Sequence, residues 1–386
     1  DASLDAQFGE RGLVPLLVKG LQDAGGGQPS DCQVLVAGIL KNVSNDERNQ
    51  QLMLGSDILG VIHELLQSGD EQLLIQITAL LRNLLSSPGH HEDFLATGSL
   101  SQLASAMSQH RQCRELQVNI ARVLGKLSGC DDTGESMLEH VDVLLEPICR
   151  SLSDHCGVTS LVTRLAFVLG SFTAIDEDAR QKFACELGGI PLLTSLLEKY
   201  WQQEQSLRPG SCEEAAAALD GTAAAECEEC LVKLVRLVAN LTISRDAGVT
   251  LASTGSVVDT LLGILSTKRI VNSEELVLNA LAAVTNLTFH ESEQNLLLSA
   301  ENKRLLCQLM QPMLLESYNV EALVECARAL GNVSRHEDVR QWMVELRIDE
   351  VLSILLSHHD RDLVFYSCGA FVNLAADPDV SKHLRE

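Results

Sequence analysis

Three groups of side chains in this sequence have types that could do chemistry. Cys227 and Cys230 form a C-x-x-C pair in ECEEC, with Cys212 upstream. Two thiolates one helical turn apart could hold zinc or exchange a disulfide. His90–His91 and His358–His359 each have an acid close by, Asp93 and Asp360, the pairing used by a general base or a metal site. The third group is a set of asparagines placed between apolar residues, as in AAVTNLTFHE, Ala282 to Glu291. An amide carries donors and an acceptor together, so it can hold a peptide backbone. The first two groups lack partners. Zinc needs four ligands, and ECEEC is not flanked by a second pair. One neighbouring acid does not make a histidine site, so both pairs read as solvated residues in turns between helices. There is no nucleophile elbow, phosphate loop or dinucleotide fingerprint, and GLVPLLVKG lacks phosphate-loop spacing. The expectation is therefore no catalytic residue, no metal and no cofactor.

The elements that position these residues repeat. The asparagine string returns as ILKNVS (Asn42), LLRNLL (Asn83), VLGKLS (Lys126), VLGSFT (Ser171), LVANLT (Asn240), VTNLT (Asn286), LGNVS (Asn332) and FVNLA (Asn373). The steps are 41, 43, 45, 69, 46, 46 and 41 residues. Each string closes the longest helix of a unit. Ahead of it come a short helix, often a glycine, and an amphipathic helix. Gly55, Gly98, Gly188, Gly189 and Gly255 read as helix ends, since glycine takes the left-handed conformation without a Cβ clash. Two units lack that glycine: Asn302 stands near the place in one, and ELR runs straight into Ile348 in the other. In EQLLIQITALLRNLL, from Glu71, apolar residues cover more than one stripe, so neighbouring units must cover the helix on two sides. The step of 69 residues predicts an insertion over about 202–226, acidic, Ala-rich and disordered or loosely helical. GGGQPS, Gly25 to Ser30, reads as a smaller loop. The whole reads as a single array over 1–386, cut from a longer chain, with a ninth unit beginning at Asp379.

Composition agrees. Apolar residues make up 46% and aromatics 3%, a balance that suits packed helices. The formal charge of −24 repels nucleic acid and anionic membranes, so neither is expected as a partner. Twelve cysteines at irregular spacing, mostly inside apolar helical patterns, read as small buried hydrophobes in a reducing cytoplasmic setting.

Three helices in about 40–47 residues, a glycine between the first two and an NL[ST]-type end to the third resemble the armadillo-repeat family over nearly the whole chain. The resemblance implies an all-α fold, a right-handed armadillo (α-solenoid) superhelix of about eight three-helix repeats. It also implies that the third helices line a groove, and that the protein is a non-catalytic binding scaffold or adapter for an acidic or extended partner segment. By resemblance Asn83, Asn240, Asn286 and Asn332 stand on the groove wall with Asn42 and Asn373. They either grip a partner backbone or tie down a neighbouring helix. Residues four and seven before these positions face the same way. They add Asn119, Arg122 and Arg164, then Lys233, Arg236 and Arg328; with Lys126 they put a basic patch mid-wall. Those cations either bind an acidic partner or pair with nearby carboxylates. Lys126 and Ser171 depart from the asparagine pattern and put the peptide-holding role in doubt in units three and four. Asn42, Asn240, Asn286 and Asn332 also match N-x-[ST], read as a by-product of the repeat rather than as glycan sites.

Nuclear import receptors of the family carry Trp four residues before the asparagine. Here those positions hold Gly38, Ala79, Arg122, Phe167, Arg236, Ala282, Arg328 and Gly369, so import-receptor function is not expected. A catenin-like adapter stays open as an alternative, as does an enzyme whose site is assembled from distant residues. SEELVLNALAAVTNLTFHE, RLAFVLGSFTAIDEDARQKF and the stretch from His336 to Asp377 resemble a family member of motile cilia and sperm flagella. That likeness implies axoneme assembly, delivery of radial-spoke or central-apparatus parts, and axonemal or intraflagellar-transport partners.

Overall fold

Short polar side chains mark where the helices begin. Asp46, Asp70, Ser299, Asn319, Asp360 and Asp377 each accept a hydrogen bond from the backbone N–H three residues on, satisfying a donor that the first helical turn leaves unpaired. The computed structural model describes residues 7–23, 31–207 and 221–385, and among them every regular element is helical. The longest-patterned segments form the third helices of eight repeats: Asp31–Val43, Glu71–Leu84, Arg114–Ser128, Thr159–Ile175, Gly221–Leu241, Ile270–Phe289, Val320–Val333 and Arg361–Ala375. The helix Pro378–His383 follows the eighth.

Glu71–Leu84 shows why these helices must stack. Leu73, Leu74, Ile75, Ile77, Leu80, Leu81 and Leu84 are all buried, and they point around most of the helix. One face meets the second helix of its own repeat, and the flanks meet the third helices before and after it. Burying each such side chain contributes roughly 1.5–3 kcal/mol, and a lone repeat has no partner surface to supply that burial.

The chain divides into two compact units, Asp1–Ala179 and Arg180–Glu386. The first holds repeats one to four and the second repeats five to eight. The division falls in the first helix of repeat five, Glu177–Gln181, which runs into a wide π-type turn, Lys182–Glu186. Repeat seven has a single 3-10 turn, Leu296–Leu298, as its first helix.

Two expectations change. Of the predicted helix-ending glycines, only Gly98 and Gly188 have positive φ, at 71° and 63°. Gly55 is right-handed, and Gly255 is the first residue of Gly255–Thr267. In repeats two and eight the left-handed residue just before the second helix is Asp57 (φ 58°) or Arg347 (φ 56°). Arg347 is clamped by Glu350, whose two carboxylate oxygens lie 2.8 and 2.6 Å from its guanidinium nitrogens. The chain can thus turn there without glycine.

The predicted insertion is also narrower than its sequence suggests. The second helix of repeat five runs on through Ser206, and Gly221–Glu226 already belong to the third helix. Residues 208–220 and the predicted loop at 25–30 lie outside the described residues. What sequence reading missed is the anchor. Lys268 Nζ lies 2.7 Å from Glu204 Oε1 and 2.7 Å from Glu228 Oε2, one on each flank. Burial alone would push the Lys268 pKa down, but the bonds to these two glutamates outweigh it and raise the pKa above the ordinary lysine value.

Candidate functional site: the third-helix wall

The recurring asparagines face the preceding repeat. Asn286 Nδ2 donates to Ala239 O and Thr242 Oγ1, both at 3.2 Å. Asn332 donates to Thr285 O (3.0 Å) and Thr288 Oγ1 (3.3 Å), and Asn373 to Gly331 O (3.0 Å) and Ser334 Oγ (2.9 Å). In the other unit Asn83 donates to Lys41 O (3.1 Å) and Ser44 Oγ (2.9 Å). The rule is the same each time. The acceptors are the carbonyl one residue before the previous asparagine and the hydroxyl two residues after it. That hydroxyl in turn donates to the same carbonyl, as Ser44 does to Lys41 O at 2.7 Å and Ser334 to Gly331 O at 2.8 Å. The N-x-[ST] string is therefore a joint between repeats. Its asparagine reaches back, and its hydroxyl receives the next asparagine.

Of the two roles left open from sequence, tying down a neighbouring helix is the one these amide nitrogens perform. Asn119 does the same one turn pair earlier: it is buried, and its Nδ2 lies 3.4 Å from Ile75 O. Asn279, missed from sequence, makes the equivalent bond to Val232 O at 3.5 Å. Its position seven before Asn286 matches that of Asn119 before Lys126 and was the signal for it. Asn240 holds the ladder position of repeat five and is half-buried.

Repeats three and four vary the joint in a readable way. Repeat two ends NLL, with Leu85 where the hydroxyl would be, and repeat three answers with lysine: Lys126 Nζ donates to Arg82 O at 2.9 Å, the same carbonyl position. Repeat three restores the hydroxyl with Ser128, but Ser171 is too short to reach it and donates instead within its own helix, to Phe167 O at 3.1 Å. Ser128 Oγ is left buried without a hydrogen-bond partner among the described residues. A Ser171→Asn replacement is expected to supply the missing donor to Ser128 Oγ and Gly125 O. It should raise the stability of the Asp1–Ala179 unit by about 1 kcal/mol, read from denaturant midpoints. An unchanged or lower midpoint would refute the rule.

The cations divide by unit. In Arg180–Glu386, Lys233 Nζ is 2.8 Å from Glu275 Oε1, and Arg328 is 3.5 Å from Glu325 Oε1 while lying over the Tyr366 ring. Pairing with neighbours, one of the two readings left open, describes these two. Arg236 is half-buried on the same wall with no carboxylate at ion-pair distance among the described residues.

In Asp1–Ala179 the picture reverses. Arg122, Lys126 and Arg164 are joined by Arg82, which sequence reading passed over because it stands beside the ladder residue rather than four or seven before it. None of the four has a carboxylate within 4.0 Å among the described residues. The Arg82 guanidinium instead faces amide oxygens, Asn83 Oδ1 (3.1 Å) and Asn119 Oδ1 (3.4 Å). Burial and the charge of Arg122 push the Arg82 pKa down; burial, Arg82 and Arg164 do the same to Lys126.

The other chemical candidates resolve differently. Cys227 and Cys230 are fully buried on the third helix of repeat five, and Cys227 Sγ lies 3.4 Å from Tyr200 O. No group of three metal-ligating side chains occurs among the described residues. His358 and His359 sit in a turn, as expected, with stacked rings. His91 does not: it is buried at the start of His91–Ala96, and its Nε2 donates to Leu85 O at 3.1 Å, capping the preceding third helix. Cysteines divide too. Cys149, Cys307 and Cys326 are buried and their pKa values are pushed up to about 12, chiefly by burial, whereas Cys32, Cys185 and Cys368 are exposed. At pH 8 a pKa of about 12 leaves roughly one thiolate in ten thousand, so iodoacetamide should label the exposed three and spare the buried three until the protein unfolds. Labelling of Cys326 in the folded chain would contradict this packing.

No single helix among the described residues is long and apolar enough to cross a membrane. No family model matches the chain. Over 364 residues it is 29% identical to armadillo repeat-containing protein 2 of Bos taurus, an alignment covering 90% of this chain and 41% of that protein. With the Mus musculus protein of the same name the identity is 31% over 314 residues, covering 81% of this chain and 36% of that protein. The chain thus spans about two fifths of the length of the curated relatives it matches. Among solved structures, an engineered protein superposes with a TM-score of 0.63 at 21% identity, covering 97% of this chain and 91% of that one. A designed armadillo repeat protein in complex with the peptide (KR)4 gives 0.50 at 19% identity, covering 71% and 98%. Computationally designed armadillo repeat proteins for modular peptide recognition give 0.51 at 16%, covering 71% and 99%. The fold is that of armadillo repeats.

Proposed function

From this fold, and from the similarity to armadillo repeat-containing protein 2 over most of the chain, we propose that the protein is a non-catalytic scaffold that binds extended segments of partner protein along the third-helix wall of each unit. The observation that carries the reading is the wall itself. Within each unit successive third helices lie side by side at a fixed register, held by asparagine joints, and present half-buried positions such as Asn83 in one unit and Ala282, Asn286 and Asn332 in the other at regular steps. Such a surface matches the repeat of an extended chain, whereas catalysis asks for converging groups in a closed site. Solved designed proteins of this fold are peptide binders. The wall residues we assign to partner binding are Arg122, Lys126 and Arg164 in Asp1–Ala179, with Asn83 and Asn119 setting the spacing, and, separately in Arg180–Glu386, Arg236, Asn240, Asn286 and Asn332, with Lys233 and Arg328 contributing as members of ion pairs.

The likeness to armadillo repeat-containing protein 2 extends the proposal to the cell: cytoplasm and the axoneme of cilia and sperm flagella, with delivery of radial-spoke or central-apparatus components as the task. Photo-cross-linking tests both parts. A benzophenone side chain at Ala282, on the wall, should capture a partner from ciliated-cell extract, and the same group at Asp259, exposed on the outer helix Gly255–Thr267, should not. Equal capture at both positions would remove the wall as the binding surface. Recovery of adhesion or nuclear-transport proteins without axonemal ones would favour the catenin-like alternative.

A further inference from the structure

In a chain with 53 acidic and 29 basic residues, four cations without a carboxylate partner on one surface need a reason. Arg82, Arg122, Lys126 and Arg164 are such a set, on the third helices of repeats two, three and four. Two of them are fixed in place: Lys126 Nζ by Arg82 O at 2.9 Å, and Arg82 by the amide oxygens of Asn83 and Asn119. Asn119 is itself buried, so its amide oxygen holds the guanidinium from beneath. Arg122 and Arg164 make no hydrogen bond or ion pair among the described residues. In the other unit Lys233 is neutralised by Glu275, Lys268 by Glu204 and Glu228, Arg328 by Glu325 and Arg335 by Glu291, and Arg236 stands apart from them without a carboxylate at ion-pair distance among the described residues. Cations without a carboxylate partner thus gather as a set of four on the wall of the first unit, whereas on the second most are paired, although both units belong to one strongly acidic chain. Burial and mutual repulsion already lower the proton affinity of Arg82 and Lys126, and a bound anion would relieve that repulsion.

We propose that repeats two to four form a seat for the anionic stretch of a partner polypeptide, with Arg122 and Arg164 as the free arms that close on it and Arg82 and Lys126 as the fixed base. The proposal rests on the scaffold reading and names which part of the partner goes where. Guanidinium forks donate to paired oxygens, and both a phosphorylated side chain and a run of glutamates offer them.

Fluorescence anisotropy on the full chain tests the seat with three labelled probes: a Gly-Ser repeat peptide, the same peptide with its serines phosphorylated, and an oligoglutamate. Binding of either anionic probe, at least about tenfold tighter than the neutral one and weakening as salt rises from about 50 to 500 mM, is the expected result. Which anionic probe binds better identifies the source of the charge. The double variant Arg122→Glu/Arg164→Glu should lose about tenfold or more, with an unchanged melting curve because neither side chain holds the fold together. Arg150→Glu, exposed on the outer helix Val141–Asp154, should bind as the unmodified chain does. Equal binding of neutral and anionic probes, or full binding by the double variant, overturns the seat. If that happens while the Ala282 cross-link to a native partner persists, the scaffold reading stands without it; if the cross-link fails as well, both fall.

Discussion

Replacing Gly189 with alanine is expected to destabilise the Arg180–Glu386 unit by about 1–3 kcal/mol, the usual range for forcing atoms into a filled space. A Cβ at Gly189 would run into the carbonyl oxygen of Phe183 and lie 2.5 Å from its ring carbon Cε1. Phe183 is fully buried in the π-type turn Lys182–Glu186, so neither its backbone nor its ring has room to move aside. The neighbouring Gly188 gives the informative contrast. It has φ 63° and nothing within 4 Å of an added Cβ, so Gly188→Ala costs only the left-handed strain, about 1–2 kcal/mol. Sequence reading treated this glycine pair as one helix-ending signal; the structure gives each a separate job. Chemical denaturation of the two single variants measures the difference. A Gly189→Ala protein as stable as the unmodified chain would mean that the turn and helix do not meet as described.

Asn332→Ala should cost about 1–3 kcal/mol, because it removes the donors to Thr285 O and Thr288 Oγ1 at the joint between repeats six and seven. Asn332→Asp is the sharper test. It keeps the shape but turns the NH2 group into a carboxylate oxygen that faces a carbonyl oxygen. It should therefore be worse than alanine, and the deficit should shrink as pH falls and the carboxylate gains a proton. An aspartate variant matching the asparagine in stability would show that the amide nitrogen is not used in solution.

Much of this was legible in the residues. The period, the three-helix plan and the buried third helix follow from ILKNVS and its copies and from the apolar breadth of EQLLIQITALLRNLL. The chemistry at the joint was half legible. Asparagine was visible, but its acceptors lie 39–47 residues away, and only the structure brings them within reach. In hindsight the co-occurrence is written in the strings: NLL is followed by Lys126, whereas NVS and NLT in repeats one, five, six and seven precede a unit with asparagine at the matching place, or end one that has it. The identity of the free cations was less legible. Periodicity puts Arg122, Lys233 and Arg328 on equal footing, and what separates them is a glutamate within reach, Glu275 on the next third helix for Lys233 and Glu325 on its own helix for Arg328, or its absence for Arg122. Arg82 escaped because the face a side chain reaches depends on its length as well as its register. His91 escaped because a polar residue in a turn-like string, SSPGHHED, gives no sign that a carbonyl waits six residues behind it.

Every asparagine joint points the same way, from a later repeat to an earlier one. A polypeptide leaves the ribosome amino end first, at roughly 5–20 residues per second, so a repeat of about 45 residues takes a few seconds to appear. Until it does, the carbonyl and hydroxyl that close the previous repeat stay hydrated, and that repeat waits as an acceptor. Within each unit these joints therefore lock in the order of synthesis, repeats two, three, six, seven and eight each latching the one before it as they emerge.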